Sequence, residues 1–379
     1  MNLSYWEIKS WLSNTDFCIV GSGIVGLTCA LQLKERFPKA KILILEKGTL
    51  PQGASTKNAG FACFGSLSEI LEDLKTHSQA EVLQLIQKRV TGLNLLRQTL
   101  GDHQLNFQQL GGYELFLNSN QDLFQSCISK REVINTWLKP LFKSDVFSIR
   151  ANSFNFKNVN KQYVFNQFEG QLDTGKMMEA LLEKVQSKGI KILNNVEVEH
   201  YSEATNSVKI KTNQFEFSAS NLFIATNGFA SQLIKEHVKP ARAQVLITKP
   251  IKNLKVKGTF HLDRGYYYFR NVANRILLGG GRNLDFNTEE TTEFKQTRLI
   301  QNRLETLLQS TLLPETPFEI EHRWSGIMGV GNQKKAIVKQ LSTNVFCGVR
   351  LGGMGIAIGS LVGKELAGLI LGQTGISFQ

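Results

Sequence analysis

Cysteine is sparse and unpatterned in this chain. Cys18, Cys29, Cys63, Cys127 and Cys347 are odd in number and show no Cys-x-x-Cys spacing. That excludes a disulfide framework and a cysteine metal site, and fits buried or free thiols in a reducing compartment. A long hydrophobic run is also missing. The longest apolar stretch, near Ile356 to Leu371, is broken by Lys364 and Glu365, which excludes a membrane span there. Met1 to Ser13 contains Glu7 and Lys9 and no long apolar core, which argues against a secretory signal. A cytoplasmic location is the resulting expectation. No dense Lys/Arg block with interleaved aromatics occurs, which argues against nucleic acid even though the net charge is +12. The positive excess leaves an acidic partner, an anionic substrate or a generally basic proteome open.

What is present points to an ordinary globular chain. Its 379 residues, 42% hydrophobic and 20% charged, suffice for two domains. The organising stretch is Cys18-Ile19-Val20-Gly21-Ser22-Gly23-Ile24-Val25-Gly26. It reads as a buried strand, a tight glycine turn and a helix from about Ile24 to Glu35. Gly21 allows the turn, Gly23 exposes backbone N–H groups to a pyrophosphate, and Gly26 lets helix and strand pack closely. The helix N-terminus faces the phosphates with its positive dipole end. A second apolar run, Ile42 to Leu45, ends at Glu46, 20 residues past Gly26. A carboxylate there can accept the hydroxyls of an adenosine ribose. The spacing predicts a dinucleotide site.

Further along, the segment from Leu50 to Ser66 is rich in small and polar residues and reads as a loop that lines something. Ser78-Gln79-Ala80-Glu81 predicts a capping box opening a packing helix that stops at Gly101. Gly112 to Leu117 is strand-like, and Gln121 to Thr136 reads as a polar helix. Asn152 to Phe168 alternates and is rich in Asn and Phe. A helix is expected from about Gln171 to Lys188, then a strand over Gly189 to Val198. Phe260 to Arg270 reads as one strand, with Tyr266 and Tyr268 on one face and Tyr267 on the other. Thr288 to Leu308 reads as a helix.

The order Gly21-Ser22-Gly23-Ile24-Val25-Gly26, then Glu46-Lys47, then Gly53-Ala54-Ser55-Thr56-Lys57-Asn58-Ala59-Gly60 resembles the FAD-dependent oxidoreductases of the D-amino-acid oxidase family. Glycine oxidase, sarcosine oxidase and gamma-glutamylputrescine oxidoreductase are members. Three later stretches resemble it too: Ala225-Thr226-Asn227-Gly228, Trp324-Ser325-Gly326, and the Gly-rich turn Gly352-Gly353-Met354-Gly355. The resemblance implies an α/β fold: a Rossmann-type FAD-binding domain of the glutathione-reductase kind interwoven with an antiparallel-sheet substrate domain. It places 1–80, 165–235 and 320–379 in the FAD-binding domain, and 81–164 and 236–319 in the substrate-binding domain.

Carried over position by position, the resemblance implies FAD contacts at Gly21, Gly23, Ile24, Val25, Gly26, Glu46, Lys47, Ala54, Ser55, Thr56, Asn58, Ala59 and Gly60. It adds Val196, Thr226, Asn227 and Gly228, then Arg350, Gly352, Gly353, Met354 and Gly355. Arg350 and the helix after it would face the flavin N1/C2=O edge, which becomes anionic on reduction. Tyr266, Tyr268 and Arg350 are the expected catalytic residues, and no metal is expected.

The implied reaction is oxidation of a C–N bond in an amino acid or amine, with reoxidation by O2 or another acceptor. Three family features are missing. The arginine that holds an amino-acid carboxylate would fall at Met328 or, as in glycine oxidase, near Gly353. By position, Arg270, Arg282, Arg323 or Arg350 could replace it. The flavin-bonding cysteine of sarcosine oxidase would fall near Ser325, so the FAD is expected to be noncovalent. The oxygen-activating lysine of sarcosine oxidase would fall near Leu277. A 2-hydroxy acid dehydrogenase and a flavin-binding protein without turnover are the alternative readings. Substrate, acceptor and oligomeric state are not legible in the sequence.

Overall fold

The Gly21 turn forms as its residues dictate. In a computed structural model, which describes residues 2–372, a buried strand Thr15–Val20 runs into the helix Ile24–Arg36. Gly21 has φ +104, a conformation that favours glycine, and a Cβ on Gly26 would lie 2.0 Å from the Gly21 carbonyl oxygen. Thr15–Val20 sits inside an eight-stranded sheet. Its parallel neighbours are Ile42–Leu45 on one side and Glu216–Ile224 on the other. Lys191–Leu193 extends the sheet past Ile42–Leu45, and Val345–Val349 and Ile337–Ser342 extend it past Glu216–Ile224. Parallel strands buried on both faces read as unbroken apolar runs.

Three helices pack in series through small residues, with the Ile24–Arg36 helix at one end. Gly359 and Gly363 of the helix Gly355–Gly368 meet Ile24 and the Val25 carbonyl, leaving no room for a Cβ. Gly92 of the helix Gln79–Leu100 meets the Ala357 carbonyl in the same way. The latter helix opens on the expected capping box of Ser78 and Glu81. Ile24, Val25, Leu27, Leu96, Ile358 and Val362 form part of the core between these helices and the sheet. Each such side chain contributes roughly 1.5–3 kcal/mol by leaving water.

A second eight-stranded sheet is mostly antiparallel. Its order is Ile320–Val330, Lys239–Thr248, Arg275–Gly280, Tyr267–Val272, Thr259–Leu262, Gly112–Leu115, Gln162–Asn166 and Phe147–Ala151. The chain thus crosses between two sheets several times, giving the α/β architecture that the motifs imply. Ile320–Val330, grouped at the sequence level with the FAD-binding segments, pairs with Lys239–Thr248 over its whole length and belongs to the second sheet.

Other expectations are corrected. Phe260 to Arg270 is not one strand. It is a hairpin of Thr259–Leu262 and Tyr267–Val272, turning through Asp263, Arg264 and Gly265 at φ 49, 54 and 78. Asp-Arg-Gly is the turn signal that the aromatic run conceals. The helix expected over Thr288 to Leu308 is confined to Arg298–Leu307, and within Asn152 to Phe168 the only strand is Gln162–Asn166.

Candidate functional site

One cavity of about 470 Å³ joins the two sheets. It opens at the carboxyl ends of the parallel strands, at Val20, Leu45, Ala225 and Leu351, where open α/β sheets bind ligands. Its near wall carries Gly21, Gly23, Ile24, Val25, Glu46, Lys47, Ala54, Ser55, Asn58, Ala59, Val196, Thr226, Asn227, Gly352, Gly353, Met354 and Gly355. Its far wall is the second sheet, including Tyr266, Tyr268 and Met328.

Local bonds hold the near wall in place. Glu46 is 6% exposed. Its carboxylate accepts from the Ser22 backbone N–H at 3.0 Å, the Ser22 hydroxyl at 2.7 Å and the Gly48 N–H at 3.0 Å. Ser55 Oγ accepts from the Ile24 N–H at 3.0 Å, tying the 53–60 loop to the helix N-terminus. Asn58 donates to the Ser55 carbonyl and accepts from the Gly60 N–H, and so closes the loop on itself. The Trp324 indole donates to the Lys57 carbonyl at 2.9 Å, which gives the Trp-Ser-Gly segment a supporting role. Asn227, at φ 44, accepts from the Leu351 N–H at 3.1 Å and joins two strand ends.

Several expected contacts act behind the wall. Gly26 makes the close approach to Gly21, and Thr56 donates to the Pro51 carbonyl at 2.7 Å. Gly60, at φ 75, and Gly228 lie against the carbonyls of Leu172 and Met328. Arg350 is a correction. Its backbone is left-handed at φ 64, and its guanidinium donates to the carbonyls of Lys335 and His237, away from the cavity. The left-handed turn points the side chain toward those carbonyls and not into the cavity.

The other arginines separate just as cleanly. Arg270 is 7% exposed and donates to the carbonyls of Ala59 and Leu172, and burial lowers its pKa to about 10. Arg323 binds Gln301 and Glu305. Arg282 lines the cavity, with its guanidinium 4.7 Å from the Phe286 ring centre. Among the described residues no carboxylate lies within 4.0 Å of it, and burial lowers its pKa. Gly280 and Gly281, at φ 122 and 82, make the turn that sets Arg282 beside Tyr266. Met328 and Gly353 both line the cavity, and a Cβ on Gly353 would lie 3.3 Å from the Met328 sulfur. The two family positions for the carboxylate arginine therefore converge on one spot that carries no arginine.

Tyr266 and Tyr268 line the cavity, whereas Tyr267 is 4% exposed in the core, as alternation predicts. Burial pushes the Tyr268 hydroxyl up to about 12, so it stays protonated. The sequence reading missed a buried cluster beside it. The donor atoms of Cys63, Glu169 and His261 all lie within 4.8 Å of one another, and Cys63 and His261 face the cavity. These residues come from three distant segments without motif spacing, so no sequence signal marks them. Burial, reinforced by Glu169 and Glu69, pushes the Cys63 thiol well up.

Among the described residues no helix is long and apolar enough to cross a membrane. Residues 16–369 match the family described as FAD dependent oxidoreductase. Gamma-glutamylputrescine oxidoreductase of Escherichia coli K12 is 20% identical over 377 residues, covering 94% of this chain and 84% of the relative. L-proline dehydrogenase from P. horikoshii superposes with a TM-score of 0.75 at 18% identity, covering 95% of this chain and 94% of that one. Glycine oxidase from Geobacillus kaustophilus superposes with a TM-score of 0.74 at 18% identity, covering 95% of each chain. With a family match over nearly its whole length and the same two-sheet fold around one cavity, this chain belongs to the FAD-dependent oxidoreductases of the D-amino-acid oxidase family.

Proposed function

We propose that this FAD-dependent oxidoreductase oxidises a C–N bond of an amino acid. The single observation that carries the reading is the shared cavity. One wall carries the glycine turn and loop that suit a dinucleotide, and the opposite wall presents Tyr266, Tyr268 and Arg282, whose guanidinium has no carboxylate within 4.0 Å among the described residues. The names of the similar proteins, a gamma-glutamylputrescine oxidoreductase and a glycine oxidase, support amine or amino-acid chemistry.

The residues present fit FAD. Gly23 has no side chain of its own to cap the helix start, where Ser55 Oγ takes only the Ile24 N–H. Thr226 Oγ1 is buried without a hydrogen-bond partner, a donor left for a ligand. Gly352 and Gly353, at φ 59 and 82, bring backbone to the cavity ahead of the Gly355–Gly368 helix, whose N-terminus favours negative charge. FAD held there would supply the two-electron acceptor for oxidation of the carbon bearing nitrogen, its electrons ending on O2 or another acceptor, and water would hydrolyse the imine product. Arg282 holds the substrate carboxylate by charge-assisted hydrogen bonds. Tyr268, protonated, gives a fixed hydroxyl on the substrate wall. Segments 81–164 and 236–319, with the Ile320–Val330 strand, supply that wall; the remaining segments hold the FAD.

The cofactor is held noncovalently. Cys63 is the cysteine on the cavity wall, and its thiol is kept protonated and poorly nucleophilic. The test is an anaerobic absorbance titration of the purified protein against amino acids, amines and 2-hydroxy acids. Bleaching by an amino acid, with flavin released on denaturation, is the expected result. Bleaching only by a hydroxy acid replaces the reading with a hydroxy acid dehydrogenase. Flavin that nothing bleaches replaces it with a binding protein.

A further inference from the structure

His261 stands on the Thr259–Leu262 strand, in one cross-strand row with Glu114 and Tyr268. Its Nε2 lies 2.5 Å from Glu169 Oε1, and the Thr259 hydroxyl donates to that same oxygen at 2.8 Å. Glu169 is 1% exposed and His261 5%. The imidazole lines the cavity, edge-on to the Phe61 ring at 5.3 Å. Nδ1 makes no hydrogen bond to protein among the described residues. The buried dyad thus lines the cavity with Nδ1 as the one ring nitrogen that no described residue uses.

We propose that His261 is a specificity-determining residue: its Nδ1–H donates to an uncharged oxygen, a carbonyl or hydroxyl, on the substrate's side chain. The substrate class is then an amino acid with an amide or similar oxygen function distal to the carboxylate at Arg282. The proposal rests on reading this cavity as the substrate site.

Charge decides for an uncharged oxygen over a second carboxylate. Burial disfavours the imidazolium, but the Glu169 carboxylate and its hydrogen bond, with Glu69 and Glu114, outweigh it and raise the pKa to about 9. Both ring nitrogens carry protons at neutral pH, so Nδ1 is a donor. Glu169 already balances that charge. Glu69 and Glu114 add negative potential, while of the nearby cations Arg89 donates to the Phe64 carbonyl and Arg264 and Lys334 are paired with Glu72, Asp263 and Asp73. The Cys63 thiol, kept protonated, brings no charge. A carboxylate at Nδ1 would meet this acidic surround, whereas an amide carbonyl does not. One hydrogen bond from a charged donor changes affinity on the order of tenfold.

The test needs no turnover. Three acids of similar length are titrated calorimetrically into the FAD-loaded protein: glutaramate, glutarate and 5-methylhexanoate. The expected result is that glutaramate binds about tenfold more tightly than 5-methylhexanoate at neutral pH, and glutarate no more tightly. His261→Leu removes the amide preference and His261→Gln, which keeps a donor, retains part of it. Should His261→Leu fail to fold, raising the pH of the wild-type protein through 9 gives the same reading. The neutral ring keeps its proton on Nε2 toward Glu169, Nδ1 becomes an acceptor, and the preference disappears. Equal binding of all three acids overturns the proposal while leaving the carboxylate site intact. Tightest binding of glutarate overturns it too, as does a stoichiometric metal ion on Cys63, Glu169 and His261. Binding of none of them removes the reading of the cavity itself.

Discussion

The Cβ position of Gly26 lies 2.0 Å from the carbonyl oxygen of Gly21, so the strand Thr15–Val20 and the helix Ile24–Arg36 are as close as backbone allows. Any side chain at 26 must push the helix off the turn. Gly26→Ala is expected to cost about 1–3 kcal/mol of stability, or more, since the obstacle is backbone. On the proposed FAD site it also displaces the N–H groups at the helix start. Urea denaturation and the flavin-to-protein absorbance ratio of the purified variant check both effects.

Arg282→Gln removes a guanidinium that stacks on the Phe286 ring and has no carboxylate within 4.0 Å among the described residues, so the fold is expected to survive. The KM for an amino-acid substrate should rise about 10- to 100-fold, the loss of a hydrogen-bonded charge pair. The KM for the matching amine without a carboxylate should change little. Steady-state kinetics on the two substrates decide this. Arg350→Gln is the control. Its guanidinium binds the carbonyls of Lys335 and His237, so both KM values and the flavin spectrum should stay close to wild type.

Arg270 should behave in the opposite way. It is buried and donates to the carbonyls of Ala59 and Leu172, which pins the 53–60 loop to the second sheet. Arg270→Met leaves those carbonyls without donors, at about 1–3 kcal/mol for each buried group left unsatisfied. A lowered melting temperature and weakened FAD retention are expected from thermal denaturation followed by flavin fluorescence.

The Glu169–His261 pair makes stability fall as the solution turns alkaline. Its folded pKa of about 9 exceeds the ordinary histidine value of 6.5. The folded state therefore binds the proton more tightly than the unfolded chain does. The linked stability is fully present below about pH 6.5 and is lost progressively as pH rises to about 9. The shift corresponds to a loss on the order of 3 kcal/mol. Chemical denaturation of the wild-type protein and Glu169→Gln at several pH values tests this. The variant lacks the carboxylate that raises the pKa, so its stability should depend less on pH across this window.

The structure bears out what local pattern determines. The Gly21–Gly26 turn, the capping box at Ser78 and the alternation of Tyr266, Tyr267 and Tyr268 each depend on residues a few positions apart. The hairpin at Asp263–Gly265 was legible in principle, because Asp-Arg-Gly is a turn signal, but the flanking aromatics masked it. Motif order carried the family and its cofactor, since each stretch had a local reason for its residue types.

The sequence by itself thus determined the dinucleotide turn, the loop that follows it and the family. Only the tertiary structure decided which of the four candidate arginines faces the cavity and which residues share its far wall. Arg270, Arg282, Arg323 and Arg350 have the same chemistry. A left-handed backbone at Arg350, burial against carbonyls at Arg270 and side-chain partners at Arg323 leave Arg282. Cys63, Glu169 and His261 meet through pairings between distant strands, and no spacing along the chain records a contact of that kind.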